Sequence, residues 1–112
     1  MYKQGQIWLV NFDPSFGHEY QKTRPALIIE ADVYLPLGSL ITVVPISSQV
    51  SKSNLLDVML PKDVANRLIS DSLIKTRQIS SFDQRRFIKL IGVCNPSVLQ
   101  NVLSNVLLYL GA

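Results

Sequence analysis

One stretch of the sequence gathers side chains able to do chemistry. It is Asp13 to Thr23, DPSFGHEYQKT, and it runs directly into Arg24. It holds the only histidine, His18, and one of the two glutamates, Glu19. Near neutral pH a histidine can take or give a proton, or bind phosphate as a cation. Arg24 offers a permanently charged, planar fork suited to phosphate oxygens, and Lys22 adds a second cation. Loops joining neighbouring strands usually have about 2–5 residues. This one has eleven, and long loops on compact domains often carry function. A second reading stays open: an Ω-loop packed by its own Phe16 and Tyr20, with His18, Glu19 and Lys22 solvated.

Composition narrows the chemistry. One cysteine, Cys94, and one histidine cannot supply the four N or S ligands of a structural zinc site. The eight carboxylates are scattered, with no pair at metal-ligand spacing, so neither metal nor cofactor is expected. A lone cysteine also gives no disulfide framework. Cys94 has no base beside it in sequence and reads as a small buried residue. The net charge of +3 points to an anionic partner. The chain of 112 residues is one domain's length, 1–112, and its low charged fraction of 17% excludes a disordered chain. No apolar run approaches the ~18 residues of a membrane span. The N-terminal MYKQGQIWLV is interrupted by Gln4 and Gln6 and lacks a small-residue cleavage site. We therefore expect no signal peptide and a cytoplasmic protein.

The elements that must position these groups are mostly extended. Gln6 to Phe12, Arg24 to Glu30, Leu40 to Ile46 and Leu55 to Leu60 read as strands bounded by turn residues. Pro25 suits a strand's beginning. Pro61 opens an expected short polar helix, Lys62 to Leu68. Ser72 to Ile79 and Phe87 to Val93 read as two more extended stretches. From Asn95 the period changes. Apolar residues fall at 98, 99, 102, 103, 106, 107 and 110, the stripe of an amphipathic helix committing one face to burial. Asn95 is its N-cap, Pro96 its first residue and Gly111 its stop. Many short strands in so short a chain imply a small, strongly bent sheet or partly closed barrel.

The opening QIWLVNFDPSFGHEYQKTRPALII resembles that of the MazF/PemK family, RNA-cleaving toxins of bacterial toxin–antitoxin pairs. Asp13-Pro14, Gly17, His18-Glu19 and Arg24-Pro25 stand in the family's order and spacing, and Gly-His-Glu is similar to the PemK branch. Val44-Pro45-Ile46-Ser47-Ser48 resembles the family's strand ending in hydroxyl residues, and Ser72 to Asp83 its next signature. The resemblance implies a mainly β fold: an SH3-like, partly open barrel with a C-terminal α-helix, forming homodimers. It also implies metal-free cutting of single-stranded RNA, leaving a 2′,3′-cyclic phosphate and a 5′-hydroxyl, and an acidic antitoxin as partner.

RNA carries its own nucleophile, the 2′-hydroxyl. An enzyme must take its proton, neutralise the phosphorane and protonate the leaving oxygen. The resemblance assigns catalytic roles to Arg24, His18, Glu19, Ser47 and Lys75. Ser48, Arg77, Gln78 and Lys22 would bind RNA. Plainer readings stand beside these: a surface arginine at a strand start, a glutamate paired with Arg24, Ser-Ser-Gln as turn chemistry. The sequence also departs from the branch. Lys75-Thr76-Arg77-Gln78 stands where PemK relatives carry Arg-x-Asp-Gln, an acid and a base. A guanidinium cannot be a base at neutral pH, so base duty would pass to His18 or Glu19, or be diffuse. Lys75 and Arg77, two apart on an expected strand, would share one face. Arg85, Arg86 and Lys89 read as a solvated turn and strand edge. The changed Lys75 and Arg77 leave a second function open, a non-catalytic relative that binds protein or RNA, as the gyrase-poisoning CcdB toxins bind protein.

Overall fold

A computed structural model describes residues 1–12 and 23–112. The expected loop is therefore outside the described residues except for Thr23, and with it His18, Glu19 and Lys22. Among the described residues there are seven strands and one α-helix: β1 (Gln6–Asn11), β2 (Thr23–Ile28), β3 (Leu40–Ser47), β4 (Val58–Leu60), β5 (Ser72–Ile74), β6 (Ser80–Asp83), β7 (Phe87–Val93) and α1 (Pro96–Tyr109). All pairings are antiparallel. The path runs β4-β5-β3-β2-β1-β7, with β6 beside β3. The sheet is bent and not closed, the partly open mainly β fold with a terminal helix that the sequence leads one to expect.

Strand β3 makes the bend. One edge pairs with β2, Val43 opposite Ile28. The other edge changes partner part-way: Leu40 to Val43 pair with β6, and Ile46 and Ser47 with β5. Pro45 stands in that break, where its missing N–H leaves no ladder bond short. Its carbonyl accepts from the Lys75 N–H at 2.9 Å.

The central strands are buried on both faces, which is why they read as nearly continuous apolar runs. Ile7, Leu27, Val44 and Ile46 pack on one side with Val102 of α1. Trp8, Val10, Ala26, Ile28 and Val43 pack on the other with Phe87 and Leu35. Tyr2, Trp8 and Phe87 close that second core with tilted and edge-on ring contacts at 4.8–6.0 Å, an arrangement that aromatic quadrupoles favour. The helix begins as its sequence dictates. The Asn95 side chain accepts from Ser97 N–H at 2.8 Å, Pro96 leads, and Gly111 follows at φ +80°. Its stripe divides, however. Val98, Leu99, Val102, Leu103 and Val106 face the core, whereas Leu107 and Leu110 are more than half exposed.

Three expectations are corrected. The fourth strand is only Val58–Leu60, because Leu56 adopts φ +71° and turns the chain. No helix forms at 62–68. Asp63 and Asn66 instead bond each other's backbone N–H groups, at 2.7 and 3.1 Å, building a turn that competes with helix. Asn66 is fully buried, and it also reaches the Pro61 carbonyl and the Leu68 N–H. Finally, Ser72 to Ile79 is not one strand. It stops at Ile74, and a turn follows, closed by the Gln78 N–H donating to the Lys75 carbonyl at 2.9 Å. Lys75 and Arg77 thus share no strand face.

The Asn66 turn docks on β7 where Gly92 leaves room. A Cβ at Gly92 would stand 2.5 Å from the carbonyl oxygens of Ala65 and Asn66. Backbone on both sides cannot yield cheaply. Gly92→Ala is expected to cost about 1–3 kcal/mol, the scale of overpacking. A lowered urea midpoint with unchanged slope is the measurement.

Candidate functional site

Beyond the α1 core the sheet opens into a groove. Leu9 and Pro25, opposite each other across β1 and β2, continue the face of Ile7 and Leu27 as part of its wall. The groove has a volume of about 1300 Å³. Five cations line it, Arg24, Lys52, Arg67, Lys75 and Lys89, and no carboxylate does among the described residues. Such a surface fits an anion.

Arg24 enters from the start of β2. It is half-buried, and its guanidinium donates to the Ile46 carbonyl at 3.5 Å. That contact leans the planar fork over the end of β3, where Ser47 and Ser48 lie. The Ser47 hydroxyl accepts from the Gln49 N–H at 3.1 Å, so it shapes the turn that leaves β3. Gln78 lines the same groove. The structure therefore brings together Arg24, Ser47, Ser48, Lys75 and Gln78, which sequence analysis singled out separately. Arg77 is exposed and lines a smaller neighbouring cavity with Asp57 and Tyr109. His18, Glu19 and Lys22 fall outside the described residues.

Lys75 is engaged. Its ammonium donates to Asp57 Oδ2 at 2.6 Å and to the Lys52 carbonyl at 3.2 Å. The two side chains are only 11% and 2% exposed. At that depth an unpaired charge is costly, and the ion pair satisfies both members. The same carboxylate oxygen accepts from the Asn54 N–H at 2.8 Å. Lys75 thus fastens the segment from Lys52 to Asp57, which supplies Lys52 and Asn54 to the groove.

Sequence reasoning missed three of the groove cations. Arg67 sat in a segment expected to be a polar helix. Lys52 belonged to no motif. Lys89 was grouped with Arg85 and Arg86, but those two face elsewhere. Arg85 pairs with Asp83 at 3.0 Å, while Arg86 donates to the Asn11 carbonyl and lies 5.9 Å from the Phe82 ring centre. The Arg85 backbone N–H, and then its guanidinium, hold the Asp83 carboxyl below its ordinary value. Lys89 reaches the groove through strand pairing, opposite Leu9 on β1, a register that its local sequence does not signal. Cys94 is buried away from the groove cations. Burial pushes its thiol up to about 11, with Asp63 adding to the shift, which suits a packed residue and not a nucleophile.

The pattern of a bent barrel, a terminal helix and a cationic groove at the end of β3 has known counterparts. A model of the "PemK-like, MazF-like toxin of type II toxin-antitoxin system" family matches residues 3–110. The chain belongs to this family. Endoribonuclease MazF9 of Mycobacterium tuberculosis is 32% identical over 97 residues, 82% of this chain and 81% of that protein. Endoribonuclease PemK of Escherichia coli is 46% identical over 46 residues, 41% of this chain but only 35% of PemK. The crystal structure of MazF from Deinococcus radiodurans has the same fold, with TM-score 0.82 and 27% identity, covering 99% of this chain and 97% of that one. The chain itself has the terminal helix of the expected fold.

The ion pair can be tested by removing one partner. Lys75→Met leaves the Asp57 carboxylate buried without its counter-ion and is expected to destabilise by about 3–5 kcal/mol. The double variant Lys75→Met/Asp57→Leu should recover much of that loss. Chemical denaturation of the wild type and the single and double variants gives the coupling directly.

Proposed function

We propose that this toxin, as the single domain 1–112, is an endoribonuclease acting on single-stranded RNA. The observation that carries the reading is the groove itself, where Arg24 and Ser47 stand with Lys52, Arg67 and Lys89 and no carboxylate lines the groove among the described residues. Attack by the RNA's own 2′-hydroxyl on the adjacent phosphate breaks the bond to the 5′-oxygen. It leaves a 2′,3′-cyclic phosphate on one fragment and a 5′-hydroxyl on the other. The reaction needs proton transfer and charge stabilisation, and no metal has to supply the nucleophile. Arg24 stabilises the phosphorane through its charged fork, and the Ser47 hydroxyl donates to a non-bridging oxygen. His18 or Glu19 takes the 2′-hydroxyl proton, and the leaving 5′-oxygen takes its proton from water. Lys75, committed to Asp57, acts by holding the groove wall. Ser48, Gln78, Arg77 and Lys22 contact the RNA strand.

The same reading includes an acidic antitoxin, since a flexible carboxylate-rich segment would compete for these cations and fold as it binds. It places the protein in the cytoplasm, where messenger RNA is available. It also includes a homodimer, supported by the distal end of α1: Leu107, Leu108 and Leu110 are 54%, 63% and 65% exposed, an apolar surface suited to a second copy.

Pure protein with labelled RNA in EDTA should give discrete fragments. Arg24→Ala, checked for folding, should reduce kcat by about 10²–10³-fold, the loss of one charge-stabilising donor. RNA with 2′-deoxyribose at the scissile position should be inert. Uncut RNA with folded wild-type protein would instead favour a binding role on this fold. For assembly, sedimentation at micromolar concentration should give twice the 12.6 kDa chain mass. A single-chain mass would overturn the dimer.

A further inference from the structure

Two groove cations are placed by rigid features that the proposed chemistry does not use. Arg67 sits at φ +57°, a left-handed backbone that a residue other than glycine keeps only when its surroundings impose it. Asn66 imposes it here. Its side chain is fully buried, and its carbonyl oxygen accepts from the N–H groups of Asp63 and Leu68, at 3.1 and 3.0 Å. Its amide donates to the Pro61 carbonyl at 2.9 Å. The turn is then clamped to β7: the Val93 N–H donates to the Ala65 carbonyl at 3.0 Å, and Gly92 admits the close approach. Lys89 lies three residues before Gly92 on that same strand.

Register gives the second coordinate. Leu9 of β1 stands opposite both Lys89 and Pro25. Lys89 is therefore two strand spacings from the beginning of β2, about 10 Å. Among the described residues no carboxylate pairs with Arg67 or Lys89, and both line the one groove. Two cations with no described counter-ion, placed along one concavity by a rigid turn and a strand, favour an anion in that concavity.

We propose that Arg67 and Lys89 form a second phosphate-binding subsite, which takes a backbone phosphate of single-stranded RNA at a distance from the scissile bond. The proposal rests on reading the groove as the RNA track. Phosphate contacts fix register and add affinity but carry no base information. The subsite accordingly lengthens the footprint on RNA without changing where the strand is cut.

The test uses the full chain and three proteins: wild type, Lys89→Gln, and the double variant Arg67→Asn/Lys89→Gln. Asparagine tolerates the left-handed backbone at position 67, and Lys89→Gln leaves the turn untouched, so folding and charge are separable. The cut position is mapped first with the wild type. Binding is then titrated, at several salt concentrations, with a long and a minimal RNA that contain the mapped site blocked by 2′-deoxyribose. For the long RNA the double variant should bind roughly tenfold or more weakly, and its log-log salt slope should fall by about 0.7, the value for one single-strand phosphate contact. Lys89→Gln should show about half that slope change. Binding of the blocked minimal RNA, cleavage of its all-ribose counterpart, and the map of cut positions should not change. If the wild type cuts RNA and the double variant keeps full affinity and slope on the long RNA, the subsite alone is overturned. Equal losses on long and minimal RNA overturn it as well, because the residues then belong to the scissile site. A wild type that neither binds nor cuts RNA overturns the functional reading, and the subsite with it.

Discussion

The buried pair between Lys75 and Asp57 is the constraint on which the groove depends. Three parts of the chain far apart in sequence converge on it. The backbone N–H of Lys75 is bound to Pro45, in the break of β3, and its ammonium reaches across to Asp57 and the Lys52 carbonyl. Asp57 in turn closes its own loop on Asn54. On the far side, the Asn105 side chain of α1 donates to the Leu56 carbonyl at 3.0 Å, catching the residue whose φ is +71°. Strand, loop and helix are thus locked around one charge pair. A lysine with its charge spent this way is a poor candidate for a mobile acid. Its contribution to the site is geometric.

The distribution of charge follows a related logic. Every described carboxylate accepts a backbone N–H. Glu30 takes that of Thr42, Asp32 that of Gln4, and Asp57 that of Asn54. Asp63 takes that of Asn66, Asp71 that of Lys62, and Asp83 that of Arg85. The acids build turns and caps, where a carboxylate satisfies otherwise orphan donors. The cations are mostly left to face solvent, and four of them, Arg24, Lys52, Arg67 and Lys89, line one concavity, whereas Lys75 in its wall is paired with Asp57. A modest net charge of +3 therefore becomes a concentrated local field. Net charge alone says little about partners, whereas its segregation on the surface says a good deal.

The sequence by itself determined the parts governed by local chemistry. The two-faced apolar runs of β1 to β3, the Asn-Pro start and glycine end of α1, and the open mainly β architecture were all legible, because propensity, capping and periodicity act over a few residues. The family was legible too, from the spacing of Asp13-Pro14, Gly17, His18-Glu19 and Arg24-Pro25. Tertiary structure decided what depends on contacts distant in sequence. The segment 62–68 has a helical composition, yet Asn66 is drawn into the interior, and bonding across to Pro61 and docking on Gly92 outweigh a weak local preference. Ser72 to Ile79 breaks after Ile74 because Lys75 is pulled onto Asp57, eighteen residues away. Lys89 joins the groove only through its register with Leu9. No local pattern encodes a register or a buried ion pair, since both are settled by which strands lie side by side once the core has closed.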